Sequence, residues 1–379
     1  MENRKKTIIY VTRDRERGEG KPEGKDYSII SKNGSVNTYN LLLDPDVEKE
    51  INEKRAHIVV FKNSLEIEKL AKKNKWKLLN PEAALAERVE NKITQGEWLQ
   101  DLARLLPPFE IAPAKDILWK KKPVIVQWAH GHTGEGTFLI ENKAQLEALK
   151  EKFPLRDARI SDYILGPVFT SNIVVAKNNI LFGNISYQIT GIPPFTENPL
   201  STIGNDWNLP RSLLSPEKME EIKKIGNLIG LKLQSDGWKG LFGIDVICDE
   251  KSKKLYLLEV NARQAAGVTY ESELQSAMRE KGASGVTTFE AHLEALGGTE
   301  QSLPIIEIND GAQIIQRVTS KPATLNIEKL EKSGYHVIKY SNTKFGSELI
   351  RIQSTQGIMA THGIFNRQGK EIAEIISSS

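Results

Sequence analysis

The sequence predicts a protein of mixed α/β and α+β class that is built from several packed units. Its 379 residues are more than one hydrophobic core usually organises. The segment 7–93 alternates short β-branched runs with helical patterns, which is typical of an α/β unit. From residue 113 onwards strand-like runs dominate, with helices between them. These observations together indicate an α/β unit followed by α+β units.

The first unit is expected to contain a small, partly parallel sheet. Residues 7–13 and 57–61 are short apolar runs rich in β-branched residues, the pattern of buried strands. Residues 62–74 and 81–93 follow a helical pattern, with apolar side chains on one side. Strands that alternate with helices in this way usually pair in parallel.

The remaining chain is richer in strands. Strand patterns occur at residues 123–128, 137–140 and 158–165, and again at 240–248 and 255–260. A long loop is predicted at 191–210, because this segment contains four prolines and no periodic pattern. The expected division places an α/β domain at 1–112, a second domain at 113–190, a third at 191–300 and a β-rich module at 301–379.

Composition excludes several classes of protein. Apolar residues make up 39% and charged residues 27% of the chain, which is typical of a globular domain. The formal charge of +3 gives no electrostatic reason to expect nucleic acid or an anionic membrane as the main partner. No apolar run approaches the roughly 20 residues that a membrane-spanning helix needs. The single cysteine, Cys248, fits a reducing compartment, and a cytoplasmic location is expected.

The most specific pattern lies at the end of the predicted strand 255–260. Glu259, Asn261 and Arg263 alternate along the chain, so their side chains share one face of an extended strand. Polar groups on a buried strand are costly unless they meet a partner. Oxygen ligands beside a guanidinium suit a magnesium ion and the phosphates that it bridges. Asp245, on the preceding predicted strand, can join this group; the alternative is a strand end with surface polar residues and an Arg–Glu pair.

A glycine-rich segment between two predicted strands is the second pattern. Gly131, Gly134 and Gly136 leave backbone N–H groups free to converge on an anion, and Thr133 can add a hydroxyl. The segment does not have the Gly-Lys-Ser/Thr ending of a Walker A loop. An ordinary β-turn is the alternative interpretation.

The order of these patterns resembles the ATP-grasp superfamily, which is typified by D-alanine–D-alanine ligase, biotin carboxylase and many amino-acid ligases. A lysine near residue 92, a glycine-rich hairpin, the Gly-Ile-Asp-Val strand and the Glu-Val-Asn-Ala-Arg strand follow one another in the family's order. The resemblance covers roughly residues 1–300. It implies a Rossmann-like N-terminal unit, then two α+β subdomains that clasp the nucleotide, with the β-rich module appended at the C-terminus.

The resemblance also implies a role for individual residues. Those that match nucleotide-binding positions are Lys92, Gln127, Gly131, His132, Thr133, Gly134, Gly136, Asp162, Tyr163 and Ile164. Those that match the metal ligands are Asp245, Glu259 and Asn261. Arg263 matches the residue that steadies the transferred phosphate, and it is the expected catalytic residue. ATP and Mg²⁺ are therefore the expected cofactors, with Mn²⁺ as an alternative ion.

Two positions depart from the family pattern. Gln127 stands where the family has a second phosphate-binding lysine, and Val168 stands where a ribose-contacting glutamate is usual. Glutamine can form hydrogen bonds with a phosphate but carries no charge. Either ATP binding is weakened, or another cation, such as Lys143 or Arg159, supplies the missing charge.

The resemblance implies a carboxylate–amine ligase that forms an amide or peptide bond through an acyl-phosphate, with release of ADP and phosphate. Two alternatives stay open: the same fold acting on bicarbonate with biotin or on a thiol, and a nucleotide-binding protein that has lost its chemistry. The expected partners are small-molecule or peptide carboxylates and amines, with a homodimer left open. Residues 191–210 and 264–274 are the segments expected to line the substrate site.

Overall fold

A parallel sheet of four strands lies near the N-terminus of the computed structural model, which describes residues 7–32, 34, 36–131, 136–320 and 325–377. Its strands are β1 (Ile8–Val11), β2 (Tyr27–Ile30), β3 (His57–Val60) and β4 (Lys77–Leu78). They lie in the order β2-β1-β3-β4, and each pairing is parallel. The accompanying helices are α1 (Thr38–Leu42), α2 (Pro45–Lys54), α3 (Leu65–Lys73) and α4 (Ala83–Glu90). The N-terminal α/β unit has the predicted alternation of strands and helices.

A second, antiparallel sheet follows. Its strands are β5 (Phe109–Pro113), β6 (Val124–Trp128), β7 (Thr137–Ile140) and β8 (Asp157–Asp162), in the order β5-β8-β6-β7. Helix α5 (Gln95–Leu99) precedes the sheet, and α6 (Lys143–Lys152) follows β7. This sheet and α6 enclose a separate apolar core that includes Val126, Trp128 and Leu146.

The third sheet is the largest, with eight strands in the order β13-β12-β9-β10-β11-β14-β16-β15. The strands are β9 (Val168–Val175), β10 (Ile180–Thr190), β11 (Thr202–Asp206), β12 (Gly240–Cys248), β13 (Leu255–Asn261), β14 (Ala312–Arg317), β15 (His336–Lys339) and β16 (Glu348–Ser354). All of its pairings are antiparallel. The C-terminal strands therefore extend the sheet that carries the Glu259 motif.

Helices and a small hairpin cover the large sheet. The helices are α7 (Pro210–Leu213), α8 (Pro216–Ser235), α9 (Val268–Glu280), α10 (Thr288–Gly297), α11 (Ile327–Lys332) and α12 (Arg367–Ser377). The hairpin strands are β17 (Met359–Thr361) and β18 (Ile364–Phe365). Short 3₁₀ turns occur at Arg15–Gly18, Gln100–Leu105 and Ala114–Asp116. Within the described part of the chain, none of the helices is long and apolar enough to cross a membrane.

Strand β11 corrects the prediction of an unstructured loop at 191–210. Residues Thr202–Asp206 pair with β10 on one side and with β14 on the other. Gly204 makes the close approach to β14 possible, because a Cβ atom there would lie 2.1 Å from the carbonyl oxygen of Gln313. The predicted boundary after residue 190 falls between β10 and β11, which are paired, so the four-part division stays a prediction.

A buried group of charged residues joins the N-terminal unit to the large sheet. Arg17 Nη2 lies 2.8 Å from Glu348 Oε2, and Arg351 Nη2 lies 3.2 Å from the same oxygen. Both arginines also donate to the carbonyl oxygen of Ala266, which holds the segment that follows Arg263. Burial opposes ionisation of Glu348, yet the neighbouring Arg17 and Arg351 guanidinium groups lower its pKa to about 2.

The depressed pKa of Glu348 predicts a contribution to stability that depends on pH. A carboxylate with a folded-state pKa of about 2 stabilises the fold above its unfolded-state pKa, roughly 4.3, and loses that contribution as pH falls toward 2. We expect Glu348→Gln to lower the free energy of unfolding at pH 7 by on the order of 3 kcal/mol. Urea denaturation at pH 7, 4 and 3 measures the difference.

The difference between wild type and Glu348→Gln should shrink as the pH is lowered. Glu328→Gln is the matched control, because its partner Lys332 and Glu328 itself are both exposed and such pairs contribute little. A constant difference between wild type and Glu348→Gln across this pH range would contradict the assignment of the ion pair.

Candidate active site

Two carboxylates face each other on neighbouring strands of the large sheet. Asp245 on β12 pairs in register with Glu259 on β13, directly before an irregularity in the β12–β13 ladder. Thr170 on β9 donates from Oγ1 to Asp245 Oδ1 at 2.7 Å, and Asn261 Nδ2 lies 3.4 Å from Asp245 Oδ2. The structure thus brings together the side chains that were predicted as metal ligands.

The two carboxylates have opposite pKa shifts. Burial and the nearby charge of Glu259 raise the pKa of Asp245 to about 6. Burial also acts on Glu259, but the Lys92 ammonium and the Arg263 guanidinium overcome it, so the pKa of Glu259 lies below its ordinary value. The negative charge of Glu259 therefore opposes ionisation of Asp245. A divalent cation between the two carboxylates would reduce this repulsion.

Lys92 is the cation that contacts this acidic pair. Its Nζ lies 2.5 Å from Glu259 Oε1, and its side chain is nearly fully buried. The prediction that Lys92 lies on a helix is wrong, because α4 ends at Glu90. Asn91 is extended and its side-chain oxygen accepts from the Ile93 N–H, while the Lys92 N–H donates to the carbonyl oxygen of Ala129. This turn brings the lysine to the end of β6.

Arg263 lies at the edge of the same group. Its Nη2 donates to Asn261 Oδ1 at 2.8 Å, and its Nε lies 3.1 Å from Glu90 Oε1. Glu90 is the last residue of α4, so this ion pair ties the motif strand to the turn that carries Lys92. Glu90 was not predicted, because its contact depends on how α4 packs against β13.

Gln127 meets an arginine. Gln127 on β6 pairs with Arg159 on β8, and its Oε1 accepts from Arg159 Nη2 at 2.7 Å and from Nε at 3.2 Å. Arg159 Nη1 donates to Gln95 Oε1 at 3.0 Å, and Nη2 also donates to the carbonyl oxygen of Leu258 at 3.2 Å. Burial lowers the pKa of Arg159 to about 10. Of the two replacement cations considered from the sequence, Arg159 is the one placed against Gln127.

The glycine-rich segment is described only at its two ends. His132, Thr133 and Gly134 lie outside the described residues, whereas Gly131 and Gly136 lie within them. Gly136 has a φ of +83°, and a Cβ there would lie 2.9 Å from the carbonyl oxygen of His130. Its own carbonyl oxygen accepts from the Trp128 N–H at 2.9 Å, which closes the hairpin between β6 and β7. The phosphate-binding roles of this segment stay predictions.

The predicted adenine-binding residues lie where β8 leads into β9. Asp162 ends β8 and its Oδ1 lies 2.7 Å from Lys122 Nζ, while Tyr163 and Ile164 follow the strand. Glycine is required at residue 166, because a Cβ atom there would lie 1.9 Å from the Cys248 carbonyl oxygen. The described side-chain contact of Asp162 does not reach the acidic pair, so the roles of these three residues also stay predictions.

The ligand set of the acidic pair is incomplete as a metal cage. Within the described ranges, no group of three or more His, Cys, Asp or Glu side chains is arranged to hold a metal ion. Asp245, Glu259 and the amide of Asn261 offer side-chain oxygens on one side only, so their role as metal ligands stays a prediction. Magnesium is commonly bound in this way, by one or two carboxylates together with water and the phosphates of a ligand.

The contact between Gln127 and Arg159 predicts the effect of a lysine at position 127. Gln127→Lys removes an acceptor from a buried guanidinium and places a second positive charge beside it. We expect the free energy of unfolding of the nucleotide-free protein to fall by roughly 2–4 kcal/mol. Chemical denaturation measures this loss, with Gln127→Met as the control that removes the acceptor without adding charge. Equal stability of Gln127→Lys and wild type would place Arg159 elsewhere.

Comparisons with known proteins are consistent with this geometry. Residues 89–267 match the ATP-grasp domain family. N5-carboxyaminoimidazole synthetase from Staphylococcus aureus has a TM-score of 0.68 at 16% identity, covering 98% of this chain and 97% of its own. L-amino acid ligase from Bacillus licheniformis has a TM-score of 0.65 at 13% identity, covering 99% and 98%.

A third structure is similar over most of its length. The biotin carboxylase domain of 2-oxoglutarate carboxylase from Hydrogenobacter thermophilus, solved with magnesium ADP and bicarbonate, has a TM-score of 0.62 at 14% identity, covering 93% of this chain and 86% of its own. At these identities the similarity concerns the fold. A search of curated proteins found no match to the sequence.

Proposed function

We propose, because residues 89–267 match the ATP-grasp domain family, that this chain is an ATP- and magnesium-dependent ligase that joins a carboxylate to an amine. The observation that carries the proposal is the apposition of Asp245 and Glu259, with Asn261 and the cations Lys92 and Arg263 around them. Acidic ligands beside cations are what the transfer of a phosphoryl group from a magnesium-bound nucleotide requires.

The donor set fits Mg²⁺. Asp245, Glu259 and Asn261 would hold the ion through side-chain oxygens, together with oxygens of phosphate and water. Bound there, the ion neutralises charge on the phosphates during transfer. Burial and the charge of Glu259 raise the pKa of Asp245, so a cation bound beside the pair would favour its ionised form.

Lys92 would exchange partners when the nucleotide binds. In the structure its ammonium forms an ion pair with Glu259, which is also a proposed metal ligand. A nucleotide phosphate would be a stronger anionic partner for Lys92. When the Lys92 ammonium moves from Glu259 to the phosphate, the Glu259 carboxylate becomes free to bind the metal. Arg263, held by Glu90 and Asn261, would remain beside the transferred phosphoryl group.

The proposed reaction has two steps, phosphorylation of the carboxylate and attack by the amine. A carboxylate oxygen of the substrate attacks the γ-phosphorus of ATP, the bond to the β,γ-bridging oxygen breaks, and ADP leaves with that electron pair. The amine nitrogen then attacks the acyl carbon, the C–O bond to the phosphoryl group breaks, and phosphate leaves while the nitrogen loses a proton. The products are an amide, ADP and phosphate.

A row of uncharged polar side chains, linked by hydrogen bonds, extends from Asp245 across the large sheet. Thr170 contacts Asp245, and Ser186 donates from Oγ to the Thr170 carbonyl oxygen. Asn205 Nδ2 donates to Ser186 Oγ at 3.1 Å, and Gln313 Nε2 donates to Asn205 Oδ1 at 3.2 Å. The row crosses strands β9, β10, β11 and β14. Ser186 and Gln313 are buried, so Thr170 and Asn205 are the members of the row that a polar substrate could reach.

Bicarbonate as the activated carboxylate is a second candidate. Two of the similar structures are, by their names, a carboxyaminoimidazole synthetase and a carboxylase domain solved with bicarbonate. Bicarbonate would be phosphorylated by the same arrangement of residues, since only the carboxylate differs. The product would then be a carbamate on the amine instead of an amide.

Substitution of Glu259 tests the proposal. We expect Glu259→Gln to reduce ATP-dependent ADP formation about a hundredfold or more, because the side chain keeps its shape but loses the charge that holds the metal. A coupled ADP assay at saturating Mg²⁺ measures this, and circular dichroism verifies folding. Glu280→Gln, an exposed glutamate at the end of α9, is the matched control. Near wild-type turnover of Glu259→Gln would remove the metal assignment.

The substrate class is separable by product. Wild type would be incubated with ATP and Mg²⁺, and with either pooled carboxylates and amines or ¹³C-bicarbonate and amines. An amide mass with no ¹³C uptake supports the first candidate, and a ¹³C-labelled carbamate supports the second. ADP release with neither product, at a rate unaffected by the added substrates, would contradict both.

A further inference from the structure

We propose that Arg159 contacts the nucleotide phosphates, in place of the lysine that the family has at position 127, and that Gln127 and Gln95 are positioning residues which hold its guanidinium without neutralising it. The inference deepens the proposed function and rests on it. It concerns residues from helix α5 and from β6 and β8 of the second sheet, which are distant in sequence from the acidic pair of the large sheet.

The placement of Arg159 is the first support. Its Nη2 donates to the carbonyl oxygen of Leu258, the residue directly before Glu259. The side chain therefore leaves the second sheet and reaches the motif strand of the large sheet. Glu259 is close enough to act electrostatically on the guanidinium. Arg159 thus stands between the two layers that clasp the nucleotide in the proposed function.

The chemistry of its partners is the second support. Arg159 is 4% exposed, and charged side chains buried to this degree are usually paired with a carboxylate. Among the residues that the structure describes, its hydrogen-bond acceptors are the amide oxygens of Gln127 and Gln95 and a backbone carbonyl. These acceptors take four of the five N–H groups and fix the direction of the guanidinium, but they are uncharged and leave its positive charge available to an anion.

The exchange at position 127 is the third support. Gln127 and Arg159 lie on paired strands and together replace the single lysine: Gln127 orients the guanidinium by hydrogen bonds, and Arg159 supplies the positive charge. Gln127 is itself oriented, because its Nε2 donates to Thr137 Oγ1 at 3.3 Å. Arginine presents five N–H donors in a planar fork, and the four described bonds of Arg159 leave one N–H on Nη1 for a phosphate oxygen.

The competing explanation is purely structural. Arg159 links β6, β8, α5 and β13, and a cross-link of this kind stabilises the fold without contacting a ligand. The two explanations differ over a carboxylate at position 127. A glutamate there keeps the shape of Gln127 and the acceptor for Arg159, and it neutralises the guanidinium through an ion pair. It cannot donate to Thr137, but the Thr137 hydroxyl can donate to it instead. A structural cross-link would gain from this change, whereas a phosphate-binding cation would be lost.

Calorimetric titration of Mg-ATP, with adenosine as a phosphate-free probe, distinguishes them. We expect Arg159→Met to weaken ATP binding about ten- to a hundredfold, the range of one charge-assisted contact, with adenosine binding unchanged. Gln127→Glu should weaken ATP to a similar extent while the thermal midpoint of the nucleotide-free protein stays at or above that of wild type. Lys143→Met, at the first position of α6, is the control and should leave ATP affinity unchanged.

Each outcome decides one of the two claims. Unchanged ATP affinity in Gln127→Glu overturns the inference and favours the structural cross-link, even if Arg159→Met fails to fold. Weakening by Lys143→Met in place of Gln127→Glu assigns the charge to Lys143 and also overturns it. If wild type binds adenosine but shows no preference for Mg-ATP, the proposed function fails together with the inference.

Discussion

The electrostatic repulsion between Asp245 and Glu259 is the constraint on which the rest of the site depends. A single strand pairing places both carboxylates side by side, and burial prevents water from screening them fully. Two contacts partly compensate this charge: Lys92 forms an ion pair with Glu259, and Thr170 donates a hydrogen bond to Asp245. These contacts leave part of the negative charge uncompensated, and burial together with the charge of Glu259 raises the pKa of Asp245 to about 6. A divalent cation bound to the two carboxylates would compensate the remaining negative charge.

Each compensating cation comes from a different part of the fold. Lys92 lies in the turn after α4, Arg159 in the second sheet, and Arg263 directly after β13. The proposed site therefore requires the second sheet and the large sheet to pack together. The buried Arg17, Glu348 and Arg351 group holds the segment that follows Arg263 through the carbonyl oxygen of Ala266. A change in how these layers pack would alter the charge balance of the site.

The fold class and the acidic pair could be predicted because both depend on local patterns. Alternation along β13 is enough to place Glu259 and Asn261 on one face, and a short polar turn after β12 brings Asp245 opposite. The contacts of Arg159 could not be predicted from such patterns, since they require the register of β6 against β8, 32 residues apart. Strand β11 was missed for a similar reason: its proline-flanked sequence has no period, and its pairing with β14 joins residues more than 100 positions apart.

Electron paramagnetic resonance of Mn²⁺ tests the central claim most directly, because it counts the free ion. Wild type with a non-hydrolysable ATP analogue should hold Mn²⁺ more tightly than the analogue alone does, as two protein carboxylates add to the phosphate oxygens. The double variant Asp245→Asn, Glu259→Gln should hold it no more tightly than the free analogue. Equal Mn²⁺ affinity of the wild-type and double-variant complexes would show that the acidic pair is not the metal site.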